Sequence, residues 1–576
     1  MAKPLKDKFA IAAALQEIGA LLDLKGGQYF KARAYKAGAR AVAELTQDLG
    51  KLIKQNRLTL VKGIGYALAK QIEQLYQTGE SSMLNELRAQ LPAGIIELSR
   101  IPGLSIQRVE KLQEELGISS VEELRAACEA GKVRNIKGFG AKTEAAILEA
   151  IGGHENREQF IHIHHAWRVS EQILEYLGTA RGLVKAEAAG ATRRWKETVS
   201  QIVIVVSAKN PQAIIEHFLR FPVVIRTESK TRQQCSVVLS EGFKATLFAV
   251  KPEEFALTLW RATGAEAHLK KVRPIATRKK LNIVSGNGNF ARQSLPRLTR
   301  ESDIYKRLGM QFVPPELRED AGEVEAALKR KLPEDLITVK DIQGMVHCHT
   351  MYSDGKHSVE QMVGAAESMG MKYITITDHS PTAFYAGGVK IDRLQRQWEE
   401  IDRAQEQTKV KILKGTESDI LADGSLDYPD WILEQFDVIV ASIHSRYKMD
   451  SDRMTQRIVT AMRQPVFKIW GHALGRKIQS RPPFDCRVDK ILDVIAESRA
   501  AVEINGDPYR LDMEPRWIRE ARKRKIKFVI SVDAHSMNAL HNVKYGVGIA
   551  RRGWVRKGEV LNALGVKAFQ KAVRPR

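Results

Sequence analysis

Nine residues between positions 347 and 535 carry side chains that bind divalent metal ions, and each lies just beyond an apolar, β-branched run. His347 and His349 follow Gly344-Met345-Val346, with Asp354 close behind, and His379 follows Tyr373-Ile374-Thr375-Ile376-Thr377. Glu417 follows Val410-Lys411-Ile412-Leu413, and His444 follows Val438-Ile439-Val440-Ala441-Ser442-Ile443. His472 follows Val466-Phe467-Lys468-Ile469-Trp470-Gly471, and Asp533 and His535 follow Phe528-Val529-Ile530-Ser531-Val532. Imidazole with carboxylate suits Zn, Mn or Fe, and nine such groups exceed the needs of one ion. Runs of this composition read as strands, and ligands at the carboxyl ends of successive strands describe the top face of an α/β barrel. The pattern implies hydrolytic chemistry at a multinuclear metal centre.

A single histidine beside an apolar run is ordinarily a core or surface residue. Six of the chain's 14 histidines in that position would each need a separate explanation. The 576 residues call for several domains. Four scattered cysteines without a C-x-x-C pair fit a reducing compartment, and the first thirty residues lack the signature of a signal peptide. The expectation is a monomeric, cytoplasmic, nucleoid-associated protein with no membrane partner. Of the net charge of +23, +15 falls on residues 1–340, whereas residues 341–520 sum to −4. An acidic metal centre beside basic surfaces suits a polyanionic substrate.

Residues 1–150 read as helices, Ile11–Leu24 and Tyr29–Thr46 among them, with three copies of one pattern. Val61-Lys62-Gly63-Ile64-Gly65 runs into a helix, as do Ile101-Pro102-Gly103-Leu104-Ser105 and Ile136-Lys137-Gly138-Phe139-Gly140. In this helix-hairpin-helix form, glycines let backbone N–H groups approach a phosphate at a helix start. Gly63, Gly65, Gly103, Gly138 and Gly140, with Lys62 and Lys137, are therefore candidate DNA-backbone contacts. From residue 151 strands (Gln201–Val206, Thr246–Val250) alternate with helices. Lys270–Lys280 reads as a basic irregular stretch and Glu323–Lys331 as a solvated helical connection.

His347-Cys348-His349-Thr350, Thr377-Asp378-His379-Ser380 and Asp533-Ala534-His535-Ser536 resemble the motifs of the PHP (polymerase and histidinol phosphatase) superfamily. Gly190-Ala191-Thr192-Arg193-Arg194-Trp195-Lys196-Glu197-Thr198 resembles the nucleotide-binding motif of family X DNA polymerases. Glu301-Ser302-Asp303 and Pro314-Pro315-Glu316 resemble that family's thumb. Nearly the whole chain thus resembles a bacterial family X polymerase with a C-terminal PHP domain. The resemblance implies a multidomain α/β protein. Its parts would be a small helical DNA-end-binding domain (1–80), a helix-hairpin-helix fingers domain (81–150) and an α+β palm (151–260). A thumb (261–318), a linker (319–340) and a TIM-like distorted (β/α)7 PHP barrel (341–576) would follow.

The departures from the family pattern lie in the palm. Members place Gly-Asp-Ile-Asp where this chain has Ser200-Gln201-Ile202-Val203, and Thr246 stands near the third carboxylate position. Neither Gln201 nor Val203 offsets the charge of a two-metal site. The palm is expected to hold DNA, and a nucleotide through Arg193 and Arg194, without synthesis. In the first domain Gln71 stands at the lyase nucleophile's place with Lys70 beside it. Lys31, Arg33, Tyr35 and Lys36 could bind a 5′-phosphate.

By the same resemblance His347, His349, Asp354, His379, Glu417, His444, His472, Asp533 and His535 would hold two or three Mn or Zn ions, Mg being admissible. Glu417, Asp354, His379 and Asp533 would bear most directly on catalysis. Arg476 and Arg510 are candidates to clamp phosphate or to form a structural salt bridge, and Asp378 to orient a ligand or cap a loop. The expected function is a DNA-repair nuclease acting 3′–5′ on gapped, nicked or 3′-damaged DNA, with 3′-phosphatase or abasic-site cleavage open to the same site. The alternatives are a working gap-filling polymerase/exonuclease, a histidinol-phosphatase-like enzyme, and a non-enzymatic DNA-end scaffold.

Overall fold

The computed structural model describes residues 8–575 apart from 26–27, 44, 46–48, 62, 91–97, 99–103, 157–159, 240–241, 282 and 284–297. The chain divides into two compact units. One comprises Met1–Gln159, Glu175–Ala180 and Gln212–Thr246; the other comprises Phe160–Leu174, Arg181–Pro211 and Leu247–Arg576. Among the described residues no helix is long and apolar enough to cross a membrane.

The first unit is mainly helical. Ile11, Leu15, Ile18 and Leu22 recur at helical spacing on Lys8–Lys25. They pack with Ala32, Tyr35 and Ala39 of Tyr29–Ala43 and Leu68, Ile72 and Leu75 of Tyr66–Thr78. A second cluster joins Val109 and Leu112 to Leu124, Val133, Ile136, Phe139 and Ile147. Val224–Lys230 and Gln234–Leu239 form an antiparallel pair in the same unit.

In the second unit Leu183–Ala188 pairs antiparallel with Gln201–Ala208. Lys270–Lys280, expected to be irregular, belongs instead to a helix, Glu266–Arg278, which buries His268, Val272, Ile275 and Ala276 at helical spacing and turns its basic residues outward. The stretch after Pro314-Pro315 is likewise no solvated linker. Glu323 is fully buried, accepts the backbone N–H groups of Asp320 and Ala321, and meets His268 Nδ1 at 2.6 Å.

Seven parallel strands then follow: β1 (Gly344–Met345), β2 (Tyr373–Ile376), β3 (Lys411–Asp419), β4 (Val438–Ser442), β5 (Lys468–Trp470), β6 (Ala500–Asn505) and β7 (Phe528–Ser531). Each lies beside its sequence neighbour, as short crossovers through helices dictate. Nearly all strand residues are buried, as expected for a parallel sheet covered on both faces. Past the strand ends Cys348 bridges Ala534: His349 N donates to Ala534 O at 2.9 Å, and Ala534 N donates to His347 O at 3.0 Å. This ladder brings the first and last edges together as a TIM-like barrel.

The opposite end is closed by Val566–Val573, whose Phe569 is fully buried and stacks on Tyr373 at 4.6 Å. Phe569→Ala is expected to destabilise the barrel by about 3–5 kcal/mol through the cavity it leaves. Chemical denaturation checks this, and a loss below roughly 1 kcal/mol would mean the helix is a dispensable cover.

Candidate metal centre

The period of two along a strand turns His347 and His349 to one side and Cys348 to the other. Asp533 and His535 do the same around Ala534. The closing ladder therefore sets these four groups against one another, and β2 to β5 deliver His379, Glu417, His444 and His472 to the same end.

Glu417, on β3, is the common partner. Its Oε1 lies 2.8 Å from His472 Nε2 and 3.3 Å from both His347 Nε2 and His444 Nε2. Its Oε2 lies 2.9 Å from His379 Nδ1 and 3.5 Å from His349 Nε2. Asp533 Oδ1 lies 3.0 Å from His349 Nε2. Further out, Asp354 Oδ1 approaches His535 Nε2 at 3.1 Å and His379 Nε2 at 3.6 Å. All nine expected residues thus meet in one cluster.

Three overlapping sets could hold an ion: His349, Asp354, His379 and His535; His347, His349, Glu417 and Asp533; His379, Glu417 and His444. The donor atoms fit that use. His347 Nε2, His349 Nε2, His379 Nδ1, Glu417 Oε2 and Asp533 Oδ1 are buried and make no hydrogen bond. Buried polar atoms normally pair, so five orphans facing one centre suit a cation.

The electrostatics agree. Burial alone would depress the His347 imidazolium, but Glu417, Glu503 and Asp533 outweigh it and hold its pKa well above the usual value. His444, against the same opposing burial, is pushed up to about 10 by Glu417 and Asp419. Burial and the neighbouring His379 and His535 bring His349 down to about 4, leaving a neutral imidazole of the form that ligates metals.

An outer layer holds the inner one in place. His347 Nδ1 meets Glu503 Oε1 at 2.7 Å, and Glu503 also accepts the His472 backbone N–H. Asp419 Oδ1 meets His444 Nδ1 at 2.7 Å. Sequence reading passed over Glu503 and Asp419. For Glu503 the signal was present, since an acid inside the otherwise apolar run Ala500–Ile504 must find a partner. Asp378 touches no ligand nitrogen; it accepts from Thr350 N, Thr350 Oγ1, Ser353 Oγ and Gln397 Nε2, fixing the loop from His349 towards Asp354.

Comparison with known proteins agrees with this architecture. Residues 6–81 match a helix-hairpin-helix domain, 95–152 a SAM-like helix-hairpin-helix tandem, 258–319 the DNA polymerase beta thumb, and 346–507 the PHP domain. The "DNA polymerase/3'-5' exonuclease PolX" of Bacillus subtilis (strain 168) is 33% identical over 557 residues, covering 96% of this chain and 97% of that protein. This chain belongs to the family X polymerases that carry a C-terminal PHP domain. A probable phosphatase of Thermoanaerobacter sp. (strain X514) is 27% identical over 233 residues, 38% of this chain and 88% of its own length. A probable phosphatase of Caldanaerobacter subterraneus is 27% identical over 206 residues, 33% of this chain and 74% of its own length.

Against that family background, the polymerase-like residues are placed as follows. Val203 is buried with Ala189, Val205, Val250, Phe255 and Leu259 in an apolar cluster. Gln201 is exposed, and Thr246 Oγ1 lies 2.9 Å from Ser236 Oγ. Arg193 and Arg194, expected to hold nucleotide phosphate, do not have open guanidinium groups. Arg193 is bidentate on Glu301 at 2.9 and 2.7 Å, and Arg194 is paired to Glu319 at 2.5 Å. Arg476 takes the second of its two expected roles, a structural salt bridge. It is buried, pairs with Glu197 at 2.8 Å and donates to the Arg510 carbonyl, so it is a tie within the unit and no free clamp.

Of the hairpin residues, Lys62 and Gly103 lie outside the described residues. Gly63 and Gly138 share a left-handed backbone, φ +94° and +96°, that L side chains resist. Gly65 and Gly140 precede the helices Tyr66–Thr78 and Ala141–Asn156 with open space where a Cβ would stand. Lys137 is exposed and its carbonyl accepts from Lys111 Nζ. Tyr35 is a core residue whose hydroxyl donates to Met83 Sδ, which removes it from the suggested phosphate set. Gln71 faces Ser81 at 2.9 Å while Lys70 is exposed over the Tyr66 ring.

Because Glu503 fixes both His347 and the His472 backbone, Glu503→Gln should weaken metal retention by roughly 10- to 100-fold without removing a direct ligand. Bound metal measured across a chelator series checks this; retention equal to the parent protein would discount the contact.

Proposed function

We propose that this protein is a metal-dependent nuclease that removes nucleotides from 3′ ends of DNA through its PHP barrel, and that its polymerase-like centre does not synthesise DNA. The convergence of nine ligand-type groups, five of them lining an open, basic-rimmed cavity, carries the first part. The cavity, roughly 690 Å³, is lined by Asp354, His379, His444, Asp533 and His535, with Tyr385, Tyr447, Tyr509, Lys477, Arg481 and Arg510 around them.

Mn or Zn ions held by His347, His349, Asp354, His379, Glu417, His444, His472, Asp533 and His535 would supply Lewis acidity to the phosphate and to an attacking water. The protein's own groups do the rest. Asp354 and His535 are the most exposed members of the cluster, so the scissile phosphate enters on their side. Arg510 Nε lies 3.5 Å from Asp533 Oδ2 and lines the cavity, where its remaining N–H groups can meet a non-bridging phosphate oxygen. Lys477 and Arg481 offer charge for the preceding phosphates, and exposed Tyr385 and Tyr509 offer ring faces for unpaired bases.

The second part rests on Val203. A two-metal polymerase centre needs carboxylates facing the ions, and here an apolar side chain buried among apolar neighbours occupies one such position. Glu197, the nearest acid in the motif, is engaged by Arg476. The names of the relatives support hydrolysis of phosphate esters, and a 3′-phosphate monoester would fit the same cavity. The helix-hairpin-helix domains and the charge on residues 1–340 favour DNA over a small metabolite as substrate.

The test uses a 5′-labelled gapped duplex with Mn²⁺ and all four dNTPs, the full chain, and a variant with His347→Ala and His349→Ala. Shortening of the primer, lost in the variant, is expected. Lengthening in either protein would restore polymerisation as a function. A 3′-phosphorylated primer in parallel separates monoester from diester cleavage: release of phosphate alone, without shortening, would make the protein a 3′-phosphatase.

A further inference from the structure

The turn at residues 507–510 borders the metal centre, and a segment remote in sequence packs against its exposed tyrosine. Arg510 reaches towards Asp533, and Tyr509 is 54% exposed at the cavity rim. A half-exposed tyrosine on a short turn would ordinarily sample several rotamers and lose entropy on meeting a substrate. Here its ring lies edge-on to two imidazoles, His162 at 5.1 Å and His164 at 5.0 Å between centroids.

The backbone of the turn is fixed by the loop after β5, where Ile478 N donates to Tyr509 O at 2.7 Å. Arg476 Nε donates to Arg510 O at 3.0 Å, and Arg476 Nη2 donates to Leu511 O. The three successive carbonyls of Tyr509, Arg510 and Leu511 are therefore engaged. Arg476 is in turn held by Glu197 at 2.8 Å, and the Ile478 segment by Gln479 Nε2 donating to Phe160 O at 2.6 Å. His162, His164, Phe160 and Glu197 all belong to residues 160–199, the segment that carries the nucleotide-binding-like motif. The motif's Trp195 packs 5.9 Å from Tyr545 and against Gly548, where an added Cβ would come within 2.5 Å of the indole.

We infer that residues 160–165 and 195–197 of the palm-like segment are positioning residues for the PHP site, setting Tyr509 and Arg510 for the incoming strand. The segment touches none of the nine ligand-type residues, so its effect passes through the turn. A displacement of about 1 Å at a phosphate-binding side chain is enough to cost up to ~10²-fold in rate. The inference rests on the nuclease reading only for its choice of DNA as substrate.

The experiment is a mutant cycle on the full-length, Mn²⁺-loaded protein, with a 5′-labelled single-stranded oligonucleotide and bis(p-nitrophenyl) phosphate as substrates and bound metal measured throughout. His162→Ala and Glu197→Gln are each expected to raise KM for the oligonucleotide roughly tenfold with metal content unchanged. His162→Phe, which keeps a ring edge-on to Tyr509, should restore most of the loss. In a Tyr509→Ala Arg510→Ala background the same two substitutions should change KM less than about twofold, because the groups they position are gone.

Full additivity in that background, or an unchanged KM in both single variants, would overturn the inference. Should His162→Ala fold poorly, Glu197→Gln, a near-isosteric change, gives the same reading. If the parent protein cleaves the diester but leaves the oligonucleotide intact, the exonuclease reading fails by itself, and the cycle is read on the diester through Arg510.

Discussion

One buried carboxylate governs the C-terminal half of this protein. Glu417 is fully enclosed, and five imidazole nitrogens lie within 3.5 Å of its two oxygens. A charge taken out of water without a partner costs several kcal/mol, so Glu417 is tolerable only where the barrel delivers cationic or cation-binding groups around it. That delivery depends on closure. The ladder between Cys348 and Ala534 holds the first and last edges together, and its flanking residues on both sides are the four ligand-type groups His347, His349, Asp533 and His535. Fold and site are therefore not separable here: the hydrogen bonds that close the barrel are also those that assemble the centre.

The cluster is graded from interior to mouth. His347, Glu417 and His472 are buried, the two histidines being tied to Glu503, whereas Asp354 and His535 are partly open. Such a gradient suits a centre that must be rigid where it holds charge and accessible where it meets a phosphate. The barrel contributes rigidity from strands β3 and β6, and the loops after β2, β5 and β6 contribute the rim.

Much of this was legible in the sequence. Parallel, twice-buried strands leave continuous β-branched runs, and a polar residue ending each run marks the barrel's carboxyl end. The nine groups stand out for that reason. Glu503 escaped because it lies within a strand, where only its charge among apolar neighbours marks it, and Asp419 because it ends a polar stretch in which Glu417 already stood out. The arginines were misjudged for a different reason. A guanidinium in a motif shows its type but not its partner, and the acids that engage Arg193, Arg194 and Arg476 lie 108, 125 and 279 positions away. Lys270–Lys280 misled through composition: its charges hide the helical spacing of His268, Val272, Ile275 and Ala276.

The contrast between the two catalytic-type regions is one of dielectric surroundings. At the PHP site, acids and imidazoles compensate one another around a shared centre. At the palm, Val203 belongs to an apolar cluster, and Gly190 backs onto it so tightly that an added Cβ would lie 3.0 Å from Val203 Cγ2. Reinstating a carboxylate there would bury an unpaired charge in a space shaped for a methyl pair, which is costly unless the strand and the glycine turn shift together. Packing as well as side-chain chemistry therefore sets this position apart from the PHP site. The neighbouring charges of the segment have meanwhile been taken up by ion pairs: Arg193 with Glu301, Arg194 with Glu319 and Glu197 with Arg476. The last of these reaches the turn at the rim of the metal centre, because Arg476 also donates to the Arg510 carbonyl.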